Sequence, residues 1–312
     1  MLLAKRKPKF FYGWVMLGIA VVASMLTTPG QTAGVSLFTP SFEEALGLSR
    51  TQQTGAYGMG TFIASLVMTY VGAQMDRYGI RRVMGVVVVL FGMVCVYTGF
   101  VTGFWTLFLA FLLLRMFGQG SLSLLASNTP AMWFDKRLGV TQAVLGIGFS
   151  LAAAGMPPFA LWLIETFGWR TAYPILGGIV IVVLLPLVIF LFVDRPEDIG
   201  QALDGGWVGP IDQKQPDSGR DQFTLQQAMK TPAYWVIAGM MFSVSMIVTA
   251  ITFNSLFLFE ELGLTREQTV TTLAAISLTT AIAQLPAGWL ADVFPLRWLA
   301  FVNMVLQATS LV

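Results

Sequence analysis

The sequence predicts an all-α integral membrane protein of about nine transmembrane spans. Of its 312 residues, 56% are hydrophobic and only 11% are charged, whereas a soluble globular domain carries about 25% charged residues. Uncharged runs that reach the roughly 20 residues needed to cross the hydrocarbon core recur along the whole chain. Because so little charge is available for a water-facing surface, most of the surface is predicted to face lipid.

The predicted spans are numbered in chain order. Spans 1 and 2 are residues 10–42 and 51–75, and spans 3 and 4 share the block 83–134, in runs 83–114 and 116–134 that are separated only by Arg115. A turn is predicted near Thr102 and Gly103. Spans 5 to 8 are 138–164, 171–193, 231–259 and 268–291, and an incomplete ninth run is 298–312. The first run is more than twice as long as a signal-peptide core of about 7–15 residues, so it is predicted to be a retained span.

The distribution of basic residues predicts the orientation. If the N-terminus is cytoplasmic, most of the 18 Lys and Arg residues fall on the cytoplasmic side, as the positive-inside rule requires. The predicted location is therefore the cell (inner or plasma) membrane, with the N-terminus inside. The net charge of +2 is too small to indicate nucleic acid, so the predicted partners are the lipid bilayer and a small-molecule solute.

Several kinds of chemistry have no residues to carry them. The single cysteine, Cys95, lies in an apolar run and the chain has no histidine, which argues against a disulfide framework and a thiolate or imidazole metal site. No nucleophile–base set is visible. The sequence predicts neither an enzyme nor a cofactor.

An internal repeat organises the chain. Residues 46–50 read LGLSR and residues 262–266 read LGLTR, and the same offset relates Gly72 to Gly288, Asp76 to Asp292 and Arg81 to Arg297. In both copies a capping box is predicted to open the next span, Ser49 with Gln52 and Thr265 with Gln268. Six spans separate the copies, so both enter the membrane from the same side.

The repeat and a polar stretch predict three parts. Residues 1–193 form a six-span half, residues 194–231 a cytoplasmic connector, and residues 232–312 an incomplete second half with spans 7–9. A second capping signal, Thr224 with Gln227, predicts a short helix at the end of the connector. The repeat partners of residues 97–193, about three further spans (10–12), are not in the chain, so we expect a fragment or a truncated form.

Loop motifs then indicate a family. GAQMDRYGIRR (72–82) resembles the major facilitator signature between spans 2 and 3, GWLADVFPLR (288–297) is similar to its second-half copy, and RMFGQG (115–120) is similar to the span 4 pattern. A narrower resemblance, to prokaryotic relatives of the monocarboxylate transporters and oxalate/formate exchangers, rests on YGW (12–14), WFDKR (133–137), GWRTAY (168–173) and RPEDIG (195–200). The resemblance implies a major facilitator helix bundle with two parallel repeats, alternating access and a monomer when the protein is full length.

The chain departs from that subfamily at three places. By rough alignment, Gln31 stands where some monocarboxylate carriers have a span 1 lysine. Gln284 and Thr280 stand where they have an Asp and an Arg in span 8. Binding of a monocarboxylate by that charge set is therefore not expected here.

Arg115 is the main candidate for substrate contact, because it is the only charge inside a predicted span. Burying a cation at mid-membrane costs at least about 2.5–3.5 kcal/mol, so such residues normally face the bundle interior or a water-filled cavity. It is either an anion contact or a structural partner for polar groups. Four amides are further candidate cavity donors, namely Gln31, Asn128, Asn254 and Gln284. Pro29 and Gly30 predict an interruption of span 1 beside Gln31, which either lines the pathway or is a simple bend.

The repeated loops are candidate gates. A carboxylate at a helix–loop junction is stabilised by the positive N-terminal end of another helix. The gating candidates are Gly72, Asp76, Arg77, Gly79, Arg81, Arg82, Gly288, Asp292 and Arg297. In a conformation closed to the cytoplasm, Asp292 is expected near residues 135–140 at the start of span 5. Ordinary positive-inside topology is the alternative for the arginines, but it leaves the repeated Asp unexplained.

Together these features predict a secondary active transporter of a small solute, most readily an organic anion such as a carboxylate, that works by alternating access. Two alternatives stay open: a non-transporting membrane sensor or receptor on the same scaffold, and a transporter of a neutral or drug-like solute.

Overall fold

The computed structural model describes residues 10–205 and 225–310. Eight helices are long and apolar enough to cross a membrane, at Gly13–Ser36, Arg50–Tyr78, Ile80–Thr98, Phe104–Ala131, Leu138–Phe167, Trp169–Phe190, Pro232–Phe253 and Glu267–Ala291. They correspond to predicted spans 1 to 8, and a ninth helix, Leu296–Ser310, matches the incomplete run. The predicted turn between spans 3 and 4 lies between Thr98 and Phe104. The all-helical membrane fold is therefore confirmed.

Span 1 is broken where Pro29 and Gly30 predict it. Its first helix, Gly13–Met25, is followed by a 3₁₀ turn, Thr28–Gly30. Gln31 is then extended, with φ −77° and ψ 156°, and helix resumes at Thr32–Ser36. Pro29 lacks the N–H that a continuous α-helix would require. The break leaves polar groups of span 1 beside span 4.

Span 4 changes its helical winding in the middle of its length. Phe104–Leu114 is α-helical, Arg115–Leu122 is a π-helix, and Ser123–Ala131 is α-helical again. π-Helical turns are rare and occur frequently at functional sites. The sequence did not predict this segment, although it begins at the charge that the sequence singled out.

Both capping boxes of the repeat are present. Gln52 N donates to Ser49 Oγ at 3.3 Å, and Ser49 N donates to Gln52 Oε1 at 2.9 Å. The second copy repeats these contacts between Thr265 and Gln268, at 3.3 and 2.8 Å. Each box satisfies backbone N–H groups that a helix start leaves free. The two repeats therefore open spans 2 and 8 by the same local chemistry.

The core lies within spans 1–6. In the most apolar stretch of span 1, 61% of residues are buried, compared with 6% in span 7 and 11% in span 8. The largest fully buried side chains include Trp133, Tyr173 and Phe38, all from the first six spans. Span 8 packs along span 5, and the C-terminal part of span 7 packs on spans 1 and 2.

The beginning of the connector folds back on the first half. Gln201 is buried; its Nε2 donates to Phe10 O at 2.8 Å, and its Oε1 accepts from Tyr12 N at 2.9 Å. Asp204 Oδ2 accepts from the backbone N–H of Asp135 at 3.2 Å and of Lys136 at 3.0 Å. These contacts join the connector to the ends of spans 1, 4 and 5. A short helix, Leu225–Ala228, precedes span 7, while Thr224 of its predicted capping box lies outside the described residues.

Candidate functional site

Arg115 lies inside the bundle with neutral partners. It is 6% exposed, and its Nη1 donates to Thr32 Oγ1 at 3.2 Å. Its guanidinium carbon stands 5.0 Å from the ring centroid of Tyr57. No ion pair joins Arg115 to a carboxylate of a described residue, so no described carboxylate neutralises it. The site carries a net positive charge that a hydroxyl and an aromatic face only partly compensate.

Tyr57 connects this charge to the second half. Its hydroxyl donates to Thr32 Oγ1 at 2.9 Å, so the Thr32 oxygen accepts from both Arg115 and Tyr57. The Tyr57 ring stacks on Phe253 of span 7, with centroids 4.2 Å apart and planes at 24°. Arg115 therefore lies where spans 1, 2 and 4 meet span 7.

A cavity of about 220 Å³ between spans 2 and 4 includes Arg115. Its other lining residues are Thr61, Ala64, Ser65, Met68, Gln119 and Gly120. Thr61 Oγ1 and Gln119 Oε1 are buried and have no hydrogen-bond partner among the described residues. Buried polar groups normally have partners. A guanidinium, a hydroxyl and an amide thus surround a space that a small polar ligand would satisfy.

The sequence missed Thr61 and Gln119 as site residues. Gln119 follows Arg115 by four residues, a spacing that places two side chains on one helix face. That spacing was a usable signal. Thr61 carried none, because its approach to span 4 depends on tertiary packing.

Gln31 lies close to the site but outside its cavity. Its Nε2 donates to Thr27 Oγ1 at 3.0 Å and to Ser123 Oγ at 3.1 Å, which joins the break in span 1 to the end of the π-helix. Thr32, the next residue, carries the contact to Arg115. Gln31 therefore contributes to the same junction of spans 1 and 4.

The other three amide candidates lie elsewhere. Asn128 Nδ2 donates to Leu124 O at 2.8 Å, and Asn254 Nδ2 donates to Ala250 O at 2.9 Å, each within its own helix. Gln284 lies against span 5, where a side-chain carbon on Gly146 would come 2.6 Å from its Oε1. The cavity around Arg115 includes none of the three.

The first candidate gating loop separates into two groups. Gly72, Asp76, Arg77 and Arg82 belong to the exposed or half-exposed part of the loop region, and Asp76 makes no hydrogen bond or ion pair with a described residue. Arg81 instead donates to the carbonyls of Val188, at 3.3 Å, and Ile189, which terminate span 6.

Asp194, which the sequence assigned only to the connector, completes this contact. Its Oδ1 accepts from Arg81 N at 2.8 Å, at the start of span 3. Its carboxylate also lies beside Gly79, whose φ is +83°, a conformation that favours glycine. Arg81, Gly79 and Asp194 therefore join spans 3 and 6 within one half.

The second loop approaches the start of span 5. Gly288 lies against the first turns of that span, where a side-chain carbon would come 2.5 Å from Ala143 Cβ and 2.8 Å from Gly139 O. Spans 5 and 8 are thus in backbone contact one turn before Asp292. The side chains of Asp292 and Arg297 lie outside what the structure describes, so their predicted contacts stay predictions.

With this geometry in place, comparisons with known proteins identify the family. A model of the Major Facilitator Superfamily matches residues 10–312. The chain belongs to the Major Facilitator Superfamily. It is a multi-pass membrane protein, as the eight spans indicate.

Three relatives illustrate the range of the similarity. The chain is 26% identical to the membrane sensor protein UhpC of Escherichia coli (strain K12) over 254 residues, which are 79% of this chain and 56% of UhpC. It is 25% identical over 164 residues to the probable sulfoacetate transporter SauU of Cupriavidus necator, covering 52% of the chain and 38% of SauU. It is 27% identical over 189 residues to human monocarboxylate transporter 11, covering 57% of the chain and 39% of that transporter.

The chain spans about half the length of the curated relatives it matches. The names of these relatives describe membrane sensors and transporters. The predicted superfamily is confirmed, and the relatives include a monocarboxylate transporter, which agrees with the narrower resemblance.

Proposed function

We propose that this protein is a secondary active transporter of a small organic anion, most readily a carboxylate, and that Arg115 contacts the anion. The observation that carries the proposal is a 6%-exposed guanidinium without a carboxylate partner among the described residues, beside a cavity. An intramembrane charge is costly and normally marks a substrate or ion pathway. A bound anion would neutralise the charge.

The donors around the cavity suit an anion with planar oxygens. A guanidinium presents several N–H groups in a fixed fork that matches a carboxylate in a bidentate arrangement. The Thr61 hydroxyl and the Gln119 amide add neutral polar groups. Two relatives carry names of transporters for small organic anions, sulfoacetate and, in the human protein, monocarboxylates. A neutral or drug-like solute would leave the guanidinium uncompensated.

The contacts between the two repeats support alternating access. The Tyr57 and Phe253 rings stack near the site. Gly288, near the C-terminal end of span 8, packs on the start of span 5. Asp292 with span 5, and Asp76 with a helix of the opposite half, complete the gate in our proposal. We place the N-terminus in the cytoplasm and the protein in the cell membrane, on the bias of basic residues.

The proposed division is a half at 1–193, a connector at 194–231 and a partial second half at 232–312. We propose no enzymatic activity or cofactor. The described residues hold no group of three or more potential metal ligands of the His, Cys, Asp or Glu type. A monomer is proposed for the full-length protein.

A sensor is the second candidate function, because UhpC is a membrane sensor and matches 79% of the chain. Sensors and transporters share the need for a ligand site, so the Arg115 cavity fits both. They differ in whether the ligand crosses the membrane.

Binding and transport are therefore measured separately on the purified 312-residue protein. Thermal unfolding in detergent is followed with increasing concentrations of small mono- and dicarboxylates, in wild type, Arg115→Leu and the control Arg195→Leu, which removes an exposed arginine of the connector. Because a hydrogen bond to a charged group contributes about 1.5–3 kcal/mol, Arg115→Leu should weaken anion binding roughly 10- to 100-fold. Arg195→Leu should bind like wild type.

Uptake of the stabilising anion into proteoliposomes then separates the two functions. Uptake that Arg115→Leu abolishes supports the transporter. Because the chain spans about half the length of the relatives it matches, binding without uptake supports the sensor only when the full-length protein also binds without uptake. If stabilisation by carboxylates is identical in wild type and Arg115→Leu, the anion site is wrong. Stabilisation by neutral solutes alone would favour the neutral-solute alternative.

A further inference from the structure

A second concave surface lies on the outside of the first half, between spans 2 and 3. This groove has a volume of about 320 Å³. Tyr70, Gln74 and Tyr78 line it from span 2, Arg82 and Val86 line it from span 3, and Phe117 of span 4 forms part of its floor. It is apolar along most of its length and basic at one end.

The groove faces away from the Arg115 cavity. Ser65 lines that cavity, and Gln74 follows Ser65 by nine residues, which is two and a half helical turns. The two residues therefore lie on opposite sides of span 2. Tyr70 is 64% exposed, and the neighbouring Leu66 and Phe62 are similarly exposed apolar residues. The groove thus borders an exposed apolar surface of the described chain.

The polar end of the groove has positive charge without an acidic partner. Arg82 is exposed and forms no hydrogen bond or ion pair with a described residue, and Arg77 lies 5.1 Å above the ring of Tyr78. Neither Gln74 nor the Tyr78 hydroxyl bonds another described residue. Asp76 lies two residues after Gln74 and two residues before Tyr78, so its side chain projects about 160° away from each of theirs on span 2.

Arg81, the residue before Arg82, differs from it in having hydrogen-bond partners. Its guanidinium is satisfied by the carbonyls that end span 6. Arg82 is therefore the groove residue whose charge the described protein leaves free. It also lies at the end of the spans that the proposed orientation places at the cytoplasmic surface.

From these observations we propose that the groove binds an anionic phospholipid of the cytoplasmic leaflet. Arg82 contacts the phosphate, the Gln74 amide and Tyr78 hydroxyl donate to headgroup oxygens, and an acyl chain lies along Val86 toward span 4. The apolar part from residue 83 to residue 90 is roughly 10 Å long, at about 1.5 Å per residue. That length covers most of one leaflet's share of a hydrocarbon core of about 30 Å. The cytoplasmic leaflet is rich in anionic lipid, which matches the charge of the site.

The test is native mass spectrometry of the full chain in detergent, with phosphatidylglycerol and phosphatidylcholine of the same acyl chains. Wild type should bind at least one phosphatidylglycerol more tightly than it binds phosphatidylcholine. Arg82→Gln should weaken phosphatidylglycerol binding roughly fivefold, which corresponds to about 1 kcal/mol for one basic residue near an anionic surface. Binding of phosphatidylcholine should not change.

Two matched variants separate this site from general charge and surface effects. Arg195→Gln removes one exposed arginine elsewhere and should bind phosphatidylglycerol like wild type. Val86→Phe fills the groove and should weaken binding of both lipids, whereas Val182→Phe, at a 72%-exposed position of span 6, should not. Thermal unfolding checks that each variant is folded. Equal phosphatidylglycerol binding by wild type, Arg82→Gln and Val86→Phe would overturn the proposal.

Discussion

At the scale of single residues, the Thr32 hydroxyl holds the candidate site together. It accepts from Arg115 Nη1 at 3.2 Å and from the Tyr57 hydroxyl at 2.9 Å. A hydroxyl oxygen has two lone pairs, so one small side chain orients both groups. Thr32 lies directly after the extended Gln31. The break in span 1 thus places an acceptor where a continuous helix would hold its side chain elsewhere.

We predict that Thr32→Val weakens anion binding three- to tenfold, less than Arg115→Leu does. The valine keeps the shape but removes an acceptor, and a neutral hydrogen bond contributes about 0.5–1.5 kcal/mol. Thr32→Ser, which keeps the hydroxyl, is the control and should bind like wild type. Titration with the stabilising carboxylate measures both. An unchanged affinity in Thr32→Val would show that Thr32 does not position Arg115.

At the scale of helices, spans 1 and 4 approach each other at two glycines. A side-chain carbon on Gly30 would come 2.7 Å from Leu114 O and 3.0 Å from Gly118 Cα. The Phe91 ring of span 3 covers the same place, 2.6 Å from a carbon built on Gly118. Backbone atoms cannot move aside as a flexible side chain can. The 3₁₀ turn of span 1 therefore packs on the π-helix of span 4 only while both positions lack a side chain.

Gly30→Ala should accordingly destabilise the protein by about 1–3 kcal/mol, the usual cost of overpacking a close contact. The expected readout is a lower midpoint of thermal unfolding in detergent. Gly55→Ala, in span 2, is the matched control, since nothing lies within 4 Å of a carbon added there, and its midpoint should not fall. A Gly30→Ala protein as stable as wild type would mean that the two backbones are further apart.

Local signals predicted the helices better than their internal irregularities. The boxes at Ser49 and Thr265 marked two helix starts, because capping depends on neighbours three residues apart. The π-helix of span 4 and the separate helix Ser255–Glu261 after span 7 were not predicted. An uncharged run specifies that a segment enters lipid, but packing against neighbours decides how its turns are wound.

At the scale of the whole molecule, the two repeats meet near the end of spans 2 and 7 that we propose is extracellular. Arg50 lies with its guanidinium carbon 3.8 Å from the ring centroid of Phe257, and it pairs with Glu43 at 3.6 Å. Tyr57 stacks on Phe253 two turns further in. The second repeat is therefore held by an exposed cation–π contact and a buried aromatic stack, which together cover the Arg115 site from this side.

Arg50→Gln should loosen this contact. An exposed cation–π interaction contributes about 0.5–1 kcal/mol. The fraction of molecules in which this contact is open, and with it the labelling rate of the reporter below, should therefore increase roughly threefold. The reporter is Ser255→Cys, at a 1%-exposed position in the short helix that follows span 7, labelled with a membrane-impermeant maleimide. The native Cys95 is fully buried, so its background labelling should be low.

Arg170→Gln serves as the control, because Arg170 bonds the carbonyls of Gly99 and Val101 in its own half. The labelling rate of Ser255→Cys should be the same with and without Arg170→Gln. If Arg50→Gln also leaves the rate unchanged, the Arg50–Phe257 contact does not restrain the outer side.

The sequence by itself determined the membrane class, the positions of the spans, the repeat and the superfamily, because these depend on composition, run length and local motifs. It also selected Arg115, since an isolated charge in an apolar run is costly wherever the helix packs. The tertiary structure decided which polar groups meet that charge. Thr32, Tyr57 and Thr61 come from two other spans, whereas Asn128 and Asn254 bond their own helices. An amide in an apolar run has the same local signal in either case, and only the packing of the helices determines whether it faces a cavity or its own backbone.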